Sequence, residues 1–290
     1  MALNMEYASF GSTGEKVSRL GFGGAVAGLK NYLHSYDPDT EESKRDVHGA
    51  LEAALEHGIT YFDTAPGYGD GRSEVFFGDV LGNVDPKSIF LATKCAETDY
   101  DGVFRSVEQS LKRLRRDYVD VLQIHANSYT DEQIKQICEP GGMLEAMERL
   151  KRDGVARYIG FTSEDNNRGL FDFINCGRFD MVQLCYNLLF QHPYEPSRPF
   201  GSLYEAKKNG LGTASMRAPT SGTFQRWIKM VRPDDDFDYN EALIQFVLSN
   251  PLIDVVLIGM RSRERVLQNI EIVNNKDGRI DIDKLHMRYV

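Results

Sequence analysis

Positive charge is scarce in this sequence. The chain of 290 residues carries 34 lysines and arginines against 43 aspartates and glutamates, a formal net charge of −9, and it contains no lysine-arginine tract. Nucleic acids and anionic membrane surfaces attract proteins that present basic patches. The sequence therefore argues against nucleic acid and against an anionic membrane as main partners.

Long apolar runs are also missing. The longest, such as "MVQLCYNLLF", are much shorter than the roughly 20 residues that a membrane-spanning helix needs. The first residues, "MALNMEYASF", show no basic stretch followed by an apolar run, so no secretory signal is expected. With 41% hydrophobic and 27% charged residues, the composition is that of a globular protein. We expect this protein in the cytoplasm.

Cysteine and histidine motifs are absent as well. None of the four cysteines forms a C-x-x-C pair, which predicts reduced thiols and neither a disulfide framework nor an iron–sulfur site. No two of the six histidines share a helix face at metal-binding spacing, so no metal site is expected. These residues are Cys95, Cys138, Cys176 and Cys185, and His34, His48, His57, His125, His192 and His286.

What the sequence does contain is an alternation of short apolar runs with amphipathic helical runs. Eight strand candidates are "VSRLGFGGA", "ITYFDTA", "IFLATK", "YVDVLQIHA", "ARYIGFTS", "MVQLCYN", "GLGTASMR" and "DVVLIGM". Helical patterns separate most of them, for example "ESKRDVHGALEAALEHG" and "GGMLEAMERLKRDG", which ends on Gly154, a favourable C-terminal cap. Strands that are apolar on both faces and alternate with helices indicate a parallel sheet with crossover helices.

Eight such units in this length favour a closed (β/α)8 TIM barrel over an open sheet, with residues 1–290 forming a single domain. The segment "MEYASFGSTGEKV" before the first strand has a glycine-centred turn and predicts a β-hairpin that closes the barrel bottom. The longest connections follow the first and seventh strands. Both lie on the C-terminal side of the strands, where barrels build their sites.

Ionisable side chains stand where the second, third and fourth strands end. Asp63 ends the second strand and Tyr68 follows in its loop, Lys94 ends the third strand, and His125 ends the fourth. Each has an ordinary structural explanation: a turn cap, a packed loop aromatic, a solvated strand end, a hydrogen-bonded core histidine. Because adjacent strands bring all four into one sector of the barrel mouth, a shared function becomes the better interpretation.

The chemistry of the four groups suits proton transfer. A free tyrosine has a pKa of about 10, and a neighbouring ammonium is expected to lower it. Asp63 would keep Lys94 charged and oriented, Lys94 would activate Tyr68, and His125 would hydrogen-bond a substrate oxygen. No side chain can supply a hydride, so an electron-carrying cofactor is required.

These motifs resemble those of the aldo-keto reductases. "FDTAPGYG", "LATK" and "LQIHA" are similar to the family's catalytic motifs, while "RLGFGGA", "IGFTS", "VQLCYN" and "LIGMRSRERVLQN" are similar to its first, fifth, sixth and eighth strands. The resemblance covers nearly the whole chain and implies an NAD(P)(H)-dependent (β/α)8 barrel. It further implies Tyr68 as the general acid or base, Lys94 and Asp63 as its partners, and His125 as the substrate-orienting group.

The resemblance also implies a nicotinamide-binding site. Gln183 would hydrogen-bond the carboxamide, and the start of the helix after the eighth strand would hold the adenosine end. Two departures stand out, because Thr162-Ser163 replaces a common Ser-Asn pair and Met216-Arg217 replaces an aromatic followed by Ser. The full set of cofactor-binding candidates is Gly23, Gly24, Thr162, Ser163, Gln183, Met216, Arg217, Gly259, Arg261, Ser262, Arg265 and Asn269.

Three arginines near the start of that helix favour NADP over NAD, since guanidinium groups suit the extra phosphate. Arg263 is interpreted as solvated, while Glu264 argues the other way by repelling the phosphate. NAD therefore remains possible.

The expected reaction is hydride transfer between nicotinamide and a carbonyl or alcohol carbon of a small aldehyde, ketone or sugar. One alternative is an aldose 1-dehydrogenase working in the oxidative direction. Another is a non-catalytic, redox-sensing nicotinamide-binding subunit. The two long loops would decide the substrate, and their aromatic side chains either line the pocket or merely pack the loops. These side chains are Tyr32, His34, Tyr36, Phe224 and Trp227.

Overall fold

A computed structural model of the protein describes residues 5–191, 193–194 and 200–287, with the side chains of 286 and 287 left out. The strands of this part are β1 (Tyr7–Ser9), β2 (Lys16–Ser18), β3 (Leu20–Gly23), β4 (Tyr61–Asp63), β5 (Phe90–Cys95), β6 (Val119–Ile124), β7 (Ala156–Ser163), β8 (Met181–Cys185), β9 (Gly212–Met216) and β10 (Val255–Gly259). The helices are α1 (Ala25–Gly28), α2 (Glu41–Glu56), α3 (Arg72–Leu81), α4 (Tyr100–Leu114), α5 (Asp131–Cys138), α6 (Met143–Arg152), α7 (Arg168–Asn175), α8 (Ser202–Lys208), α9 (Thr223–Val231), α10 (Asn240–Leu248), α11 (Arg263–Asn274) and α12 (Ile282–Met287).

Strands β3 to β10 form a closed parallel barrel. They pair in sequence order, and β10 pairs with β3, with Val256 opposite Leu20. Strands β5 and β6 are buried at every position, because one face packs inside the barrel and the other against the helix layer. The predicted (β/α)8 TIM barrel is confirmed.

The first predicted strand is divided in the structure. Lys16–Ser18 pairs antiparallel with Tyr7–Ser9 in a separate hairpin, and only Leu20–Gly23 joins the barrel. Arg19 stands between the two pieces, and its guanidinium donates hydrogen bonds to the carbonyls of Ile253 and Leu248 at 2.7 and 2.9 Å. The prediction of one continuous strand from Val17 was therefore wrong at this point, because the backbone changes partners at Arg19: its N–H donates to Glu6 next to the hairpin, and its carbonyl accepts from Val256 of the barrel.

The hairpin closes the bottom of the barrel, as expected from its turn. Phe10, at its tip, is fully buried, and its ring lies 5.6 and 5.2 Å from the rings of Tyr61 and Phe90 inside the barrel. A Cβ atom at Gly212 would lie only 2.7 Å from the Phe10 ring. Glycine at 212 is therefore what lets the aromatic plug enter the barrel.

The helices that were predicted from hydrophobic periodicity cover the barrel. Helix α2 starts at the N-cap Thr40, whose side chain accepts a hydrogen bond from the Ser43 backbone, and it buries Val47 and Leu51. After α6, Gly154 has φ +79°, as its predicted capping role requires. Helix α9 was not predicted and lies in the loop after β9. Within the described part of the chain, no helix is long and apolar enough to cross a membrane.

Replacing Phe10 by Ala should lower the free energy of unfolding by about 3–5 kcal/mol, because it empties the core at the barrel bottom. Urea denaturation at neutral pH measures this. Val231→Ala is the control, because Val231 is 64% exposed and its change should stay within about 0.5 kcal/mol. Equal effects for the two variants would show that the plug does not stabilise the barrel.

Candidate active site

A buried ion pair lies at the C-terminal end of β4 and β5. The Nζ of Lys94 is 2.6 Å from Oδ1 of Asp63, and it also donates to the carbonyl of Thr64 at 2.8 Å. The other oxygen of Asp63 accepts from Nε2 of Gln123 at 3.0 Å. Burial lowers the pKa of Lys94, but Asp63 and Tyr68 together raise it above its ordinary value. The ammonium is therefore charged at neutral pH.

Tyr68 is brought to this pair by the turn between β4 and α3. Gly69 and Gly71 have φ of +70° and +83°, and Asp70 between them also has positive φ, so the chain reverses within three residues. Ser73 then anchors the start of α3, where its Oγ donates to the carbonyl of Gly24 at 2.9 Å. The glycines around Tyr68 thus serve to aim a side chain back over the strand ends.

Lys94 lies beneath the aromatic ring of Tyr68, with Nζ 4.8 Å from the ring centroid. Burial raises the pKa of Tyr68, and Lys94 lowers it by less than burial raises it. The expected direction of the Lys94 effect is therefore confirmed, but the expectation of a lowered pKa for Tyr68 was wrong. In this structure Tyr68 is a protonated phenol at neutral pH, which is the form that can donate a proton.

His125 faces Tyr68 from the end of β6. The two rings meet edge to face at 5.5 Å and 88°, and the His125 backbone N–H donates to the carbonyl of Cys95 at 2.8 Å. Burial, and next the charge of Lys94, lower the pKa of His125 from 6.5 to about 4. At neutral pH the imidazole is uncharged and can donate one hydrogen bond to an oxygen atom between it and Tyr68.

The four groups line a cavity of about 320 Å³ in the barrel mouth. Six of the cofactor-binding candidates line the same cavity, and they are Gly23, Thr162, Gln183, Met216, Arg217 and Gly259. A second cavity, of about 540 Å³, is lined by Arg261, Ser262, Arg265 and Asn269 at the start of α11. Because the two cavities share lining residues, among them Val26, Pro219 and Gly259, they form one cleft across the barrel mouth.

The cleft contains polar atoms that have no hydrogen-bond partner among the described residues. Oε1 of Gln183, Nη1 of Arg261 and Nδ2 of Asn269 are buried and unpaired. Buried polar groups are nearly always paired, because an unpaired one costs about 1–3 kcal/mol. Three of them along one cleft are the feature expected of a binding site for an elongated polar ligand.

Comparison with known proteins agrees with the family resemblance of the sequence motifs. The family model described as the aldo/keto reductase family matches residues 19–278. The chain belongs to the aldo/keto reductase family.

Three relatives indicate the range of similarity. The L-galactose dehydrogenase of Arabidopsis thaliana is 28% identical over 294 residues, covering 93% of this chain and 88% of the relative. An aldo-keto reductase of Bacillus halodurans, in its holo form, has the same fold, with a TM-score of 0.76 and 23% identity over 98% of this chain and 96% of that one. One from Klebsiella pneumoniae in complex with NADPH superposes with a TM-score of 0.70 at 21% identity, covering 98% and 93%.

Two cofactor-binding candidates of this aldo/keto reductase do not line the cleft. A Cβ atom at Gly24 would lie 2.5 Å from Oγ of Ser73, so this glycine allows α3 to approach β3. The Oγ of Ser163 donates to the carbonyl of Asp165 at 2.9 Å. Both roles remain predictions. Arg263 pairs with Glu56 on the surface, in agreement with its interpretation as a solvated residue.

Sequence reasoning did not select two residues that the structure places in the cleft. Asn127 and Glu164 line the inner cavity, each just beyond a strand end. Tyr36, one of the aromatic loop residues considered for the pocket, lies beside the cleft, with its ring under the guanidinium of Arg261 at 4.2 Å from centroid to Cζ. The positions of Asn127 and Glu164 offered a signal, because each follows a motif residue by one or two positions.

Of the aromatic loop residues considered for the pocket, Tyr32 and His34 line the cleft. Phe224 and Trp227 pack against each other, and Trp227 is mostly exposed. Within the described residues no group of three or more histidine, cysteine, aspartate or glutamate side chains is placed to hold a metal ion. His192 and the side chain of His286 lie outside the described residues. All four cysteines are free thiols.

The imidazole of His125 should titrate at about pH 4, which NMR of the histidine rings can follow with His125→Asn to assign the signal. Because the folded pKa lies below the ordinary 6.5, the unfolded chain binds the extra proton first. The contribution of His125 to stability should therefore be complete above about pH 6.5 and be lost as the pH falls toward 4. A midpoint at pH 6 or above would contradict the buried, neutral state.

Proposed function

We propose that this protein is an NADP(H)-dependent oxidoreductase that transfers hydride between the nicotinamide ring and the carbonyl or alcohol carbon of a small molecule. The observation that carries the proposal is the buried Lys94 ammonium, which is paired with Asp63 and lies under the Tyr68 ring at the floor of the cleft. We propose residues 1–290 as one domain. We also propose the cytoplasm as its compartment, in keeping with four free thiols.

The side chains of the site handle the proton and the orientation of the substrate. A bound nicotinamide would supply or accept the hydride. In reduction, the Tyr68 hydroxyl donates its proton to the carbonyl oxygen as the carbon gains a hydride, which gives an alcohol. In oxidation, the Tyr68 phenolate takes the hydroxyl proton. Lys94 stabilises that phenolate, Asp63 keeps Lys94 charged and fixed, and neutral His125 donates a hydrogen bond to the same substrate oxygen.

The unpaired polar atoms of the cleft fit a dinucleotide. Oε1 of Gln183 would accept from the nicotinamide carboxamide, next to Met216, whose soft side chain can pack on the ring. Arg261, Arg265 and Asn269 would hold the adenosine end at the start of α11, where the helix terminus also favours phosphate. The Klebsiella relative in complex with NADPH supports NADP(H) as the cofactor.

The L-galactose dehydrogenase relative favours a second version of the same chemistry, oxidation of an aldose at its anomeric carbon. The residues and proton steps are identical, and only the direction differs. Turnover in either direction distinguishes both versions from a subunit that binds nicotinamide without catalysis.

Tyr68→Phe should reduce turnover by about 10²–10⁴-fold, because it removes the proton donor but keeps the ring. The dissociation constant of NADPH, measured by fluorescence titration, should change little. Steady-state rates at the reduced-nicotinamide absorbance band measure turnover with aldehydes, ketones and aldoses. A loss of less than about tenfold would remove Tyr68 from the mechanism.

Replacing Arg261 and Arg265 together by Ala should weaken NADPH binding by about 2 kcal/mol or more, roughly 30-fold, and leave NADH nearly unaffected. Arg263→Ala is the matched control, because this arginine starts the same helix but pairs with Glu56. Fluorescence titration gives all the dissociation constants. Equal losses for both cofactors, or tighter binding of NADH by the parent protein, would falsify the preference for NADP(H).

A further inference from the structure

The cleft contains a second ion pair, separate from Lys94 and Asp63. Nη2 of Arg217 lies 2.6 Å from Oε1 of Glu164. Glu164 follows β7 and Arg217 follows β9, so the pair bridges the end of β8. Both residues line the cavity that contains Tyr68 and His125, and both line a smaller adjoining cavity of about 120 Å³. The pair therefore forms part of the wall of the reaction chamber.

The backbone holds this wall firmly in place. Arg217 has φ +62°, a left-handed conformation that costs a non-glycine residue free energy. Its carbonyl accepts from Nδ2 of Asn187 at 3.0 Å and from the N–H of Thr220 at 2.8 Å, which together fix the strained turn. The N–H of Glu164 donates to the carbonyl of Asn127 at 2.7 Å. Asn127, Glu164 and Arg217 thus form one connected surface, the polar wall.

The charges of the chamber cancel. Lys94 is matched by Asp63 and Arg217 by Glu164, and these are the basic and acidic side chains that line the chamber. A carboxylate or phosphate on the substrate would have to compete with Glu164 for Arg217 or with Asp63 for Lys94. An arginine in such a chamber could bind an anionic substrate, but the guanidinium of Arg217 is already paired with Glu164. The chamber is suited to an uncharged molecule.

The polar wall retains free hydrogen-bonding capacity. The side chains of Arg217 and Glu164 are 38% and 30% exposed in their paired state. A guanidinium has five N–H donors and a carboxylate has about four acceptor sites, so the single contact between them leaves most unused. An apolar substrate would displace water from these groups and leave them without hydrogen-bond partners. A site with such groups discriminates strongly against a substrate of this kind. Hydroxyl groups would satisfy both donors and acceptors.

We propose that the polar wall of Asn127, Glu164 and Arg217 selects an uncharged, polyhydroxylated substrate by binding the hydroxyls next to the reacting carbon. Ala25, Val26 and Leu29 also line the chamber and give its lining apolar surface for the C–H groups of such a molecule. This inference rests on the proposed hydride-transfer function and names the substrate class of the same site.

The test compares substrates of similar size. The first assay is NADPH-dependent reduction of three aldehydes. Glyceraldehyde carries two hydroxyls, propanal carries none, and succinic semialdehyde carries a carboxylate. The second assay is NADP⁺-dependent oxidation, which compares the neutral sugar galactose with the anionic sugar galacturonate. The parent enzyme should favour glyceraldehyde and galactose in kcat/KM by about 10- to 100-fold, the range that charge-assisted hydrogen bonds provide.

Glu164→Gln keeps the size of the side chain and removes its charge, which leaves Arg217 unpaired. We expect kcat/KM to fall about tenfold for glyceraldehyde and to rise about tenfold for succinic semialdehyde. The dissociation constant of NADPH should stay within about twofold, because the pair acts on the substrate. Glu56→Gln, which removes the partner of Arg263 in another glutamate–arginine pair, is the matched control and should change none of these values.

The outcomes separate the inference from the function on which it rests. NADPH binding together with a parent preference for propanal or for an anionic substrate would overturn only the inference. So would a Glu164→Gln variant that changes all substrates equally or changes NADPH affinity alone, because Arg217 would then serve the cofactor. Failure of the parent to bind NADPH, or to turn over any of the five compounds, would overturn both.

Discussion

The buried ion pair between Lys94 and Asp63 is the interaction on which the site depends. An ammonium and a carboxylate removed from water lose several kcal/mol of solvation each, which only a close partner and further hydrogen bonds offset. Here Gln123 and the carbonyl of Thr64 supply those bonds. Because removing either charge would leave the other buried and unpaired, the pair keeps Lys94 charged and fixed beneath Tyr68. The properties of Tyr68 and His125 follow from that fixed charge and from burial.

The barrel provides the place for such a pair. Parallel strands end at the same rim, and their register puts Asp63 next to Ala92 in β5 and Lys94 next to Gln123 in β6. The three polar side chains therefore meet where the strands stop. Tyr68 and His125 reach the same point from the connections after β4 and β6. At the opposite end the buried ring of Phe10 fills the barrel, so the cleft opens at the end where these side chains meet.

Much of this arrangement could be predicted from the sequence, and the features that could not be predicted depend on tertiary contacts. Asp63 and Lys94 follow apolar runs that must be buried, so their charges needed an explanation, and strand order made them neighbours. The division of the first strand at Arg19 was not predictable, because it depends on a backbone partner in β10, Val256, far away along the chain. Neither was the net pKa of Tyr68, since burial and Lys94 act in opposite directions and only packing decides between them. The pairing of Glu164 with Arg217 and the stacking of Tyr36 on Arg261 were not predictable either, because each joins two separate loops in the folded chain.

The charge pattern along the cleft differs between its two ends, which bears on how the proposed cofactor would lie. At the inner end each cation has its own carboxylate, Lys94 with Asp63 and Arg217 with Glu164. At the outer end Arg261 is stacked on Tyr36, and among the described residues neither it nor Arg265 is paired with a carboxylate. Unpaired positive charge attracts phosphate, while compensated charge does not. A dinucleotide would therefore place its most negative end at α11 and its uncharged or reacting end near Tyr68. With the cofactor bound in this way, its phosphates would occupy the unpaired cations of the outer end. The inner chamber would then present only paired charges to the substrate, in keeping with the neutral substrate that we propose.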